Sequence, residues 1–460
     1  MGYFCLLLLA LQCFICYRIE KSLFSPSVSF TLLYIFIFTL SQSGLYGLYD
    51  SPDLAYELIT LGVTMFVVGS MSRKSLYPSR HSYYLPSLTF TSSDERGSLI
   101  SKRYWIMFVI VVLVISVSAT MIVLFILTGG SVGDLYMIAA AATDGDENEL
   151  TKDSQQLLLE SYIAYPLLYL LVPVSIVEFF HTYSRKYLAV AVFLALIRVI
   201  LDARRTYLAS FIMMLLLCVF LHKRDFKYAP RLTKKKMKSF LKYAFFLVLI
   251  FGFIFSFISQ QRSIAKTGVD ESSILQTMTF YYGASVQFFG DCIEKIKIDY
   301  TYGFSTFRGF VAPFFGVLKL FGLPTPEVLE NANQYLTQIH EHSIQVSPIS
   351  NYNSFATCFF QFYCDGGVLG IIILSFFLGF CSQYIYDKML KNKTKRMETI
   401  YVFFYANILM LSFVNMETVI AFNFWPLVLA SFLYTEKNIN HKKEKLHLTK
   451  SNYDKAKRLD

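Results

Sequence analysis

The sequence predicts an all-α polytopic integral membrane protein, with about eleven transmembrane helices and one large extracytoplasmic loop that contains short interfacial helices. Composition is the first reason. The chain has 460 residues, 55% of them hydrophobic and 17% aromatic, which is far outside the range of ordinary soluble domains. The second reason is the spacing of the apolar residues, which gather in segments long enough to cross a bilayer, separated by polar connections.

The segments follow one another along the whole chain. The first, within "MGYFCLLLLALQC", lacks the basic start of a signal peptide and is therefore predicted to be a spanning helix. The predicted spans lie near residues 2–17, 27–48, 54–71, 104–128, 161–180, 187–201, 206–221, 240–258, 366–386, 399–414 and 419–434.

Basic residues predict the orientation. The formal net charge of +10 by itself could suggest nucleic acid, but most of the 42 lysines and arginines fall in alternate connections. Connections rich in Lys and Arg stay in the cytoplasm. The N-terminus is therefore predicted outside and the C-terminus inside, with anionic lipids rather than nucleic acid as the partners of the basic clusters. The predicted regions are 1–258 with helices 1–8, 259–352 as the external loop, 353–434 with helices 9–11, and 435–460 as a basic cytoplasmic tail.

The stretch "LDARRTYL" (201–208) places charge between two apolar segments. A single crossing over 187–221 would invert every later connection, so these residues are predicted to form a hairpin with an outward tip. Each apolar arm spans roughly 22–24 Å at 1.5 Å per residue, less than the ~30 Å hydrocarbon core. The tip is thus predicted to lie below the headgroups, in a water-accessible pocket.

Arginines at this tip indicate an anionic ligand. Arg198, Arg204 and Arg205 carry guanidinium groups, which stay charged and bind phosphate oxygens in pairs. Charge at membrane depth is usually kept for a function. The alternative is that these side chains reach to the interface from helix ends and that Arg198 pairs with Asp202 at i,i+4.

The longest connection, 259–352, is predicted to be external and to carry function. Two of its segments, 277–289 and 307–324, are aromatic and interrupted by Gly or Pro, as in interfacial or re-entrant helices. Further candidate phosphate ligands are Arg262 and Lys266 in "QQRSIAKTG" and Arg308 in "TFRGF".

Three further residues are candidates for acid–base work. Asp365 lies where the external loop enters the ninth predicted helix, directly before two glycines. It is interpreted as an N-cap of that helix or as a carboxylate that orients a sugar hydroxyl. His340 and His342 flank Glu341 in "QIHEHSIQ" and are candidate general bases, because histidine titrates near neutrality. The spacing offers no third metal ligand, so no metal site is predicted there.

Several of these motifs together resemble the oligosaccharide repeat-unit polymerases of the O-antigen and capsule type, the Wzy family. The resemblance rests on "DARRTYL", on "SQQRSIAKTG" and "YGFSTFRGFVAPFF" in the external loop, and on the loop exit "YNSFATCFFQFYCDGGVLG". The exit is similar to an Asn–x–x–x–Thr…Tyr–x–Asp–x–Gly–x–x–Gly pattern; the matching residues are Asn353, Thr357, Tyr363, Asp365, Gly367 and Gly370. Gly366 departs from the pattern, which often has a bulky residue there.

The resemblance implies a glycosyltransferase at the outer face of the bacterial cytoplasmic membrane. It would move a growing glycan from undecaprenyl pyrophosphate onto a second lipid-linked repeat unit, with arginines binding the pyrophosphate and without a metal or other cofactor. A chain-length regulator and a flippase are the implied protein partners. The alternatives are an O-antigen ligase, a flippase or transporter of lipid-linked oligosaccharide, and a non-catalytic subunit of a glycan-export complex.

Overall fold

The computed structural model describes residues 1–76, 97–130, 156, 159–182, 184–202, 206–228, 274–352, 356–392, 394–411 and 433–434. Within these ranges the protein is mostly helical. The helices are α1 (Gly2–Glu20), α2 (Pro26–Gln42), α3 (Asp53–Leu76), α4 (Gly97–Leu127), α5 (Tyr165–Thr182), α6 (Arg185–Asp202), α7 (Thr206–Tyr228), α8 (Ile274–Lys295), α9 (Arg308–Leu320), α10 (Glu327–Glu341), α11 (Thr357–Asn392) and α12 (Lys395–Leu411).

Five helices of the described ranges are long and apolar enough to cross a membrane: Gly2–Glu20, Asp53–Leu76, Lys102–Phe125, Tyr165–Thr182 and Thr357–Lys391. They coincide with five of the predicted spans. Pro26–Gln42 and Tyr207–His222 are shorter apolar helices, and α6 and α12 cover two more predicted segments. The predicted span at 240–258, nearly all of the one at 419–434, and the tail 435–460 lie outside the described residues.

The helices form two groups that share one continuous apolar core. In the first group, α3 packs along α11, and α1, α2 and α8 pack beside them. In the second, α5 contacts α4, α6 and α7. Helix α12 joins the groups because it contacts α11 on one side and both α5 and α7 on the other.

Two glycines permit the close contact between α3 and α11. A Cβ on Gly69 would collide with the carbonyl oxygen of Phe376, and a Cβ on Gly379 would collide with that of Phe66. Small residues let apolar helices approach until their backbones touch, which is the usual way such helices associate in a bilayer.

Helix α11 is broken near its beginning. Gly367 has φ +59°, and a Cβ at this position would lie 2.7 Å from the hydroxyl oxygen of Tyr300. Only glycine adopts this conformation readily, so the break separates a short first part, ending at Asp365, from the long apolar part that follows.

Residues 274–352 form a block that packs on the first group through α8 and also lies against the α2–α3 connection. It contains α8, α9, α10 and a hairpin of β1 (Ile344–Ser347) with β2 (Ser350–Tyr352). The N–H of Tyr49, between α2 and α3, donates a hydrogen bond to the carbonyl of Val346 at 2.9 Å. The alternation of basic residues predicts this end of α2 and α3 to be the outer one.

The structure also refines the sequence expectations for this block. Helices were predicted in both aromatic segments; α8 contains the whole of 277–289, and α9 covers residues 308–320 of the segment 307–324. Helix α10 and the hairpin were not predicted. Helices α6, with 18 residues, and α7, with 23, extend beyond the predicted apolar arms at their ends, and the apolar part of α7, Tyr207–His222, is short, as predicted.

Candidate functional site

Asp365 connects two of the sequence motifs. Its carboxylate accepts hydrogen bonds from the hydroxyl of Thr301 at 2.6 Å and from the backbone N–H groups of Gly303 at 2.9 Å, Ser305 at 3.0 Å and Thr306 at 3.0 Å. The side chain is buried, with 5% of its surface exposed. Both carboxylate oxygens therefore have hydrogen-bond partners, as buried polar groups require.

These hydrogen bonds give Asp365 partners other than those of an N-cap. One interpretation from the sequence was an N-cap of the following helix, whereas the hydrogen bonds go to residues 301–306 of the 274–352 block, about 60 residues earlier in the chain. Backbone bonds from Thr301 to the carbonyl of Cys364 and from Tyr302 to that of Asp365 reinforce this contact. Asp365 thus fixes the block to the break in α11.

Arg308 follows the segment that Asp365 holds. It begins α9, and its Nε donates a hydrogen bond to Oδ1 of Asn333 in α10 at 2.5 Å. Arg308 is half-buried, and the hydrogen bond to Asn333 joins α9 to α10 within the 274–352 block. A guanidinium is a planar cation that recognises phosphate and carboxylate groups by paired hydrogen bonds.

His342 has a carboxylate partner. Its Nε2 lies 2.5 Å from Oδ2 of Asp291 in α8, and Oδ1 of Asp291 accepts a hydrogen bond from Lys295 at 2.6 Å. This hydrogen bond and the charge of Asp291 raise the pKa of Lys295, so the lysine stays protonated at neutral pH. A carboxylate that orients an imidazole is the usual support of a histidine that transfers protons. Asp291 was not singled out in the sequence, because 51 residues separate it from His342.

His340 belongs to the last turn of α10, and its side chain lies outside the described part of the structure. His342 directly follows that helix as its C-cap residue. The two histidines of the motif therefore differ in backbone environment, and the contact with Asp291 is described for His342.

Arg198 forms a second cluster, at the end of α6. Its guanidinium carbon lies 3.3 Å from the ring centroid of Tyr165, 4.5 Å from that of Tyr207 and 5.9 Å from that of Tyr169. Its Nη2 also donates a hydrogen bond to the hydroxyl of Tyr207 at 2.9 Å. The side chain was expected in a water-accessible pocket, but it is only 5% exposed. Stacking on aromatic rings takes the place of water around the cation.

Glu160 lies beside this cluster and was missed in the sequence. It begins the π-helix Glu160–Ala164 that leads into α5, and it is fully buried. Its carboxylate accepts hydrogen bonds from the hydroxyl of Tyr165 at 2.9 Å, from the amide of Gln156 at 3.0 Å and from the hydroxyl of Ser118. Tyr165 therefore joins the carboxylate to Arg198, which stacks on its ring. π-Helical turns often occur at functional sites, and a lone carboxylate at the start of a predicted span was the available signal.

The remaining candidates lie outside the described residues. These are Arg204, Arg205, Arg262 and Lys266, together with Asn353 of the loop exit and the side chain of Asp202. Among the candidates that the structure does describe, Asp365, Arg308 and His342 belong to the 274–352 block and its attachment to α11, and Arg198 belongs to the cluster around Tyr165.

Three further residues that the sequence analysis did not select form a buried group. His181, His222 and Glu398 come from α5, α7 and α12, and their side-chain ligand atoms all lie within 4.8 Å of one another. The hint available in the sequence was that each of the three residues is close to a basic connection predicted to be on the cytoplasmic side.

Comparison with known proteins adds no family to this geometry: no protein-family model, no curated protein and no solved structure matches the chain.

Proposed function

We propose that this protein is a membrane-embedded glycosyltransferase that joins oligosaccharide repeat units carried on undecaprenyl pyrophosphate into a surface polysaccharide. The reaction takes place at the outer face of the bacterial cytoplasmic membrane. The five long apolar helices support a membrane location. The motif resemblance to the Wzy polymerases supports the reaction class.

One observation carries the proposal. The carboxylate of Asp365, at the start of a long apolar helix, binds the segment 301–306 that leads into Arg308. The motif resembling the family's loop exit and the motif containing "FRGF" therefore meet in space, although they are distant in the chain. A cation and a histidine–carboxylate pair are carried on the same folded block, next to the end of the apolar helices.

The proposed roles follow from the chemistry of the transfer. A sugar hydroxyl oxygen of the acceptor attacks the anomeric carbon of the donor, the bond from that carbon to the pyrophosphate oxygen breaks, and the hydroxyl proton leaves to a base. His342 is the proposed base, since Asp291 holds its Nε2 and Nδ1 can accept the proton. Arg308 binds the pyrophosphate as negative charge develops on it.

Arg198 contributes to donor binding in this proposal. Arg198 precedes the 201–208 hairpin tip, which is predicted to face outward. Arg204 and Arg205 in that tip are the neighbouring candidates. Its guanidinium carbon lies close to the rings of Tyr165 and Tyr207, and a planar guanidinium binds phosphate oxygens in pairs.

Exposed aromatic side chains on the block suit a lipid-linked substrate. Tyr302 and Phe321 are each 78% exposed, and Phe314 is 61% exposed. Aromatic residues are favoured at the boundary between headgroups and hydrocarbon, where a polyprenyl carrier presents its pyrophosphate. Tyr302 also has φ +49°, a conformation that non-glycine residues adopt rarely.

Glycan analysis of a deletion strain tests the function. A polymerase deletion leaves single repeat units on the cell surface, and complementation with the wild-type gene restores long chains. Loss of all exported units would instead indicate a flippase, and long chains that stay on undecaprenyl pyrophosphate would indicate a ligase. Either of the latter results overturns the proposal. A purified protein that polymerises lipid-linked units in vesicles completes the test.

A further inference from the structure

The buried group of His181, His222 and Glu398 joins three helices that are distant in sequence. His181 is in the last turn of α5, His222 follows the apolar part of α7, and Glu398 is in the first turn of α12. Tyr165 and His181 are separated by roughly 24 Å along α5. The group therefore lies at the end of the helices opposite Arg198, and it is independent of the proposed transfer site.

The donor atoms converge on one point. Nε2 of His181 lies 2.7 Å from Oε2 of Glu398, and Nε2 of His222 lies 2.6 Å from Oε1. The side chains are 4%, 3% and 7% exposed. The two imidazole rings are nearly perpendicular, with centroids 5.2 Å apart, and both present the same ring atom to the carboxylate. Phe180 stacks on the ring of His222 at 5.3 Å and fixes its orientation.

The charges around the group favour a cation. The neighbouring ion pair of Lys395 with Glu178, at 2.8 Å, is neutral as a unit. Glu398 adds a negative charge in a buried position, and buried charges are paired or bind metals. Two imidazole nitrogens and one carboxylate oxygen are a frequent ligand set for zinc, which then keeps a fourth position for water or another ligand.

We propose that His181, His222 and Glu398 bind one divalent transition-metal ion of the zinc class, which clamps the ends of α5, α7 and α12. The ion takes the Nε2 lone pairs of both histidines and one or both oxygens of Glu398. Because these three helices connect the two helix groups through α12, the metal stabilises their junction. A purely hydrogen-bonded triad, in which both imidazoles donate Nε2–H to the carboxylate, is the alternative that the experiment separates.

Metal binding to the purified full-length protein, without a polyhistidine tag, tests the proposal. After dialysis against a chelator, Zn²⁺ is titrated in competition with a chromophoric chelator, and Co²⁺ is added to read its visible absorption. We expect about one tightly bound Zn²⁺ per chain, a Co²⁺ spectrum typical of four- or five-fold coordination, and a higher thermal unfolding temperature with metal.

His222→Gln and Glu398→Gln are the test variants, because glutamine keeps a hydrogen-bonding group of similar size. We expect each to lower Zn²⁺ affinity by more than the 10–100-fold that loss of an outer-shell partner costs. His342→Gln is the matched control, since it removes a histidine that contacts a carboxylate elsewhere, and we expect unchanged affinity.

Two results would overturn the proposal. One is a wild-type protein that binds neither Zn²⁺ nor Co²⁺ at micromolar concentration, which would establish the hydrogen-bonded triad. The other is equal Zn²⁺ affinity in the wild-type and test variants. If a variant fails to fold, the Co²⁺ titration of the wild-type protein still tests the proposal, because no binding, or a spectrum with thiolate charge-transfer bands, contradicts a site made of two imidazoles and a carboxylate.

Discussion

The backbone N–H of Ser305 donates a hydrogen bond to the carboxylate of Asp365 at 3.0 Å, across 60 residues of sequence. Both carboxylate oxygens are used in this way, because Oδ1 also accepts from Gly303 and Oδ2 accepts from Thr306. The pair therefore has a structural role that can be separated from proton transfer by substitution.

Asp365→Asn is expected to loosen the attachment of the 274–352 block to α11. An amide has one acceptor oxygen, so its NH₂ group would face an N–H donor, and each buried N–H left without an acceptor costs about 1–3 kcal/mol. We expect a lower unfolding temperature, faster proteolysis between residues 301 and 307, and loss of polymer. Asp299→Asn is the control, because Asp299 is exposed in the same segment. Wild-type stability combined with lost polymer would instead assign proton transfer to Asp365.

Asp291→Asn is expected to slow the transfer with little change in stability. The substitution removes the charge that orients His342 but keeps a side chain of the same shape, and a positioned base contributes roughly 10²–10⁴-fold to the rate. Polymer formation from purified lipid-linked units measures the effect. Glu294→Gln is the control on the same helix, since Glu294 is exposed. An unchanged rate for both Asp291→Asn and His342→Ala would remove this pair from the mechanism.

Arg198 and Glu160 are expected to be coupled in stability through Tyr165. Arg198→Met removes a buried cation and leaves a buried carboxylate, so it is expected to be more harmful alone than in combination with Glu160→Gln. A double-mutant cycle of thermal unfolding is expected to give a coupling energy of about 0.5–3 kcal/mol. Lys186→Met, at the exposed opposite end of α6, is the control for a lost positive charge. Additive effects would show that the two side chains act independently.

Arg198→Lys is expected to reduce polymer formation at wild-type protein level. A lysine keeps the positive charge, but it lacks the planar group that stacks on Tyr165 and Tyr207 and binds phosphate in pairs. We expect the affinity for the lipid-linked donor to fall by a larger factor than the maximal rate. A titration of the donor measures both quantities. Normal donor affinity in this variant would exclude Arg198 from the donor site.

Cysteine labelling is expected to show that the 274–352 block and the α5–α6 connection lie on opposite sides of the membrane. In a Cys381→Ser background, Glu330→Cys should react with an impermeant maleimide in intact cells, and Lys186→Cys should react only after permeabilisation. Both positions are exposed, so a lack of reaction reports sidedness rather than burial. The reverse pattern would contradict the predicted orientation.

The sequence by itself determined the helical class and the positions of the five long apolar helices that the structure describes. Long apolar segments leave little choice of conformation, because backbone N–H and C=O groups in hydrocarbon must form their hydrogen bonds within a helix. It also identified Asp365, Arg308 and His342 as candidates, since charged and titratable groups are conspicuous next to apolar segments.

Only the tertiary structure decided which of these groups act together. Asp365 binds residues 301–306 instead of capping its own helix, Asp291 supports His342, and Tyr165 joins Arg198 to Glu160. The same is true of His181, His222 and Glu398, which meet because α12 packs against both α5 and α7. Hydrophobic periodicity reports which residues face the core, but it contains no information on which helices become neighbours. That choice depends on side-chain packing between elements far apart in the chain.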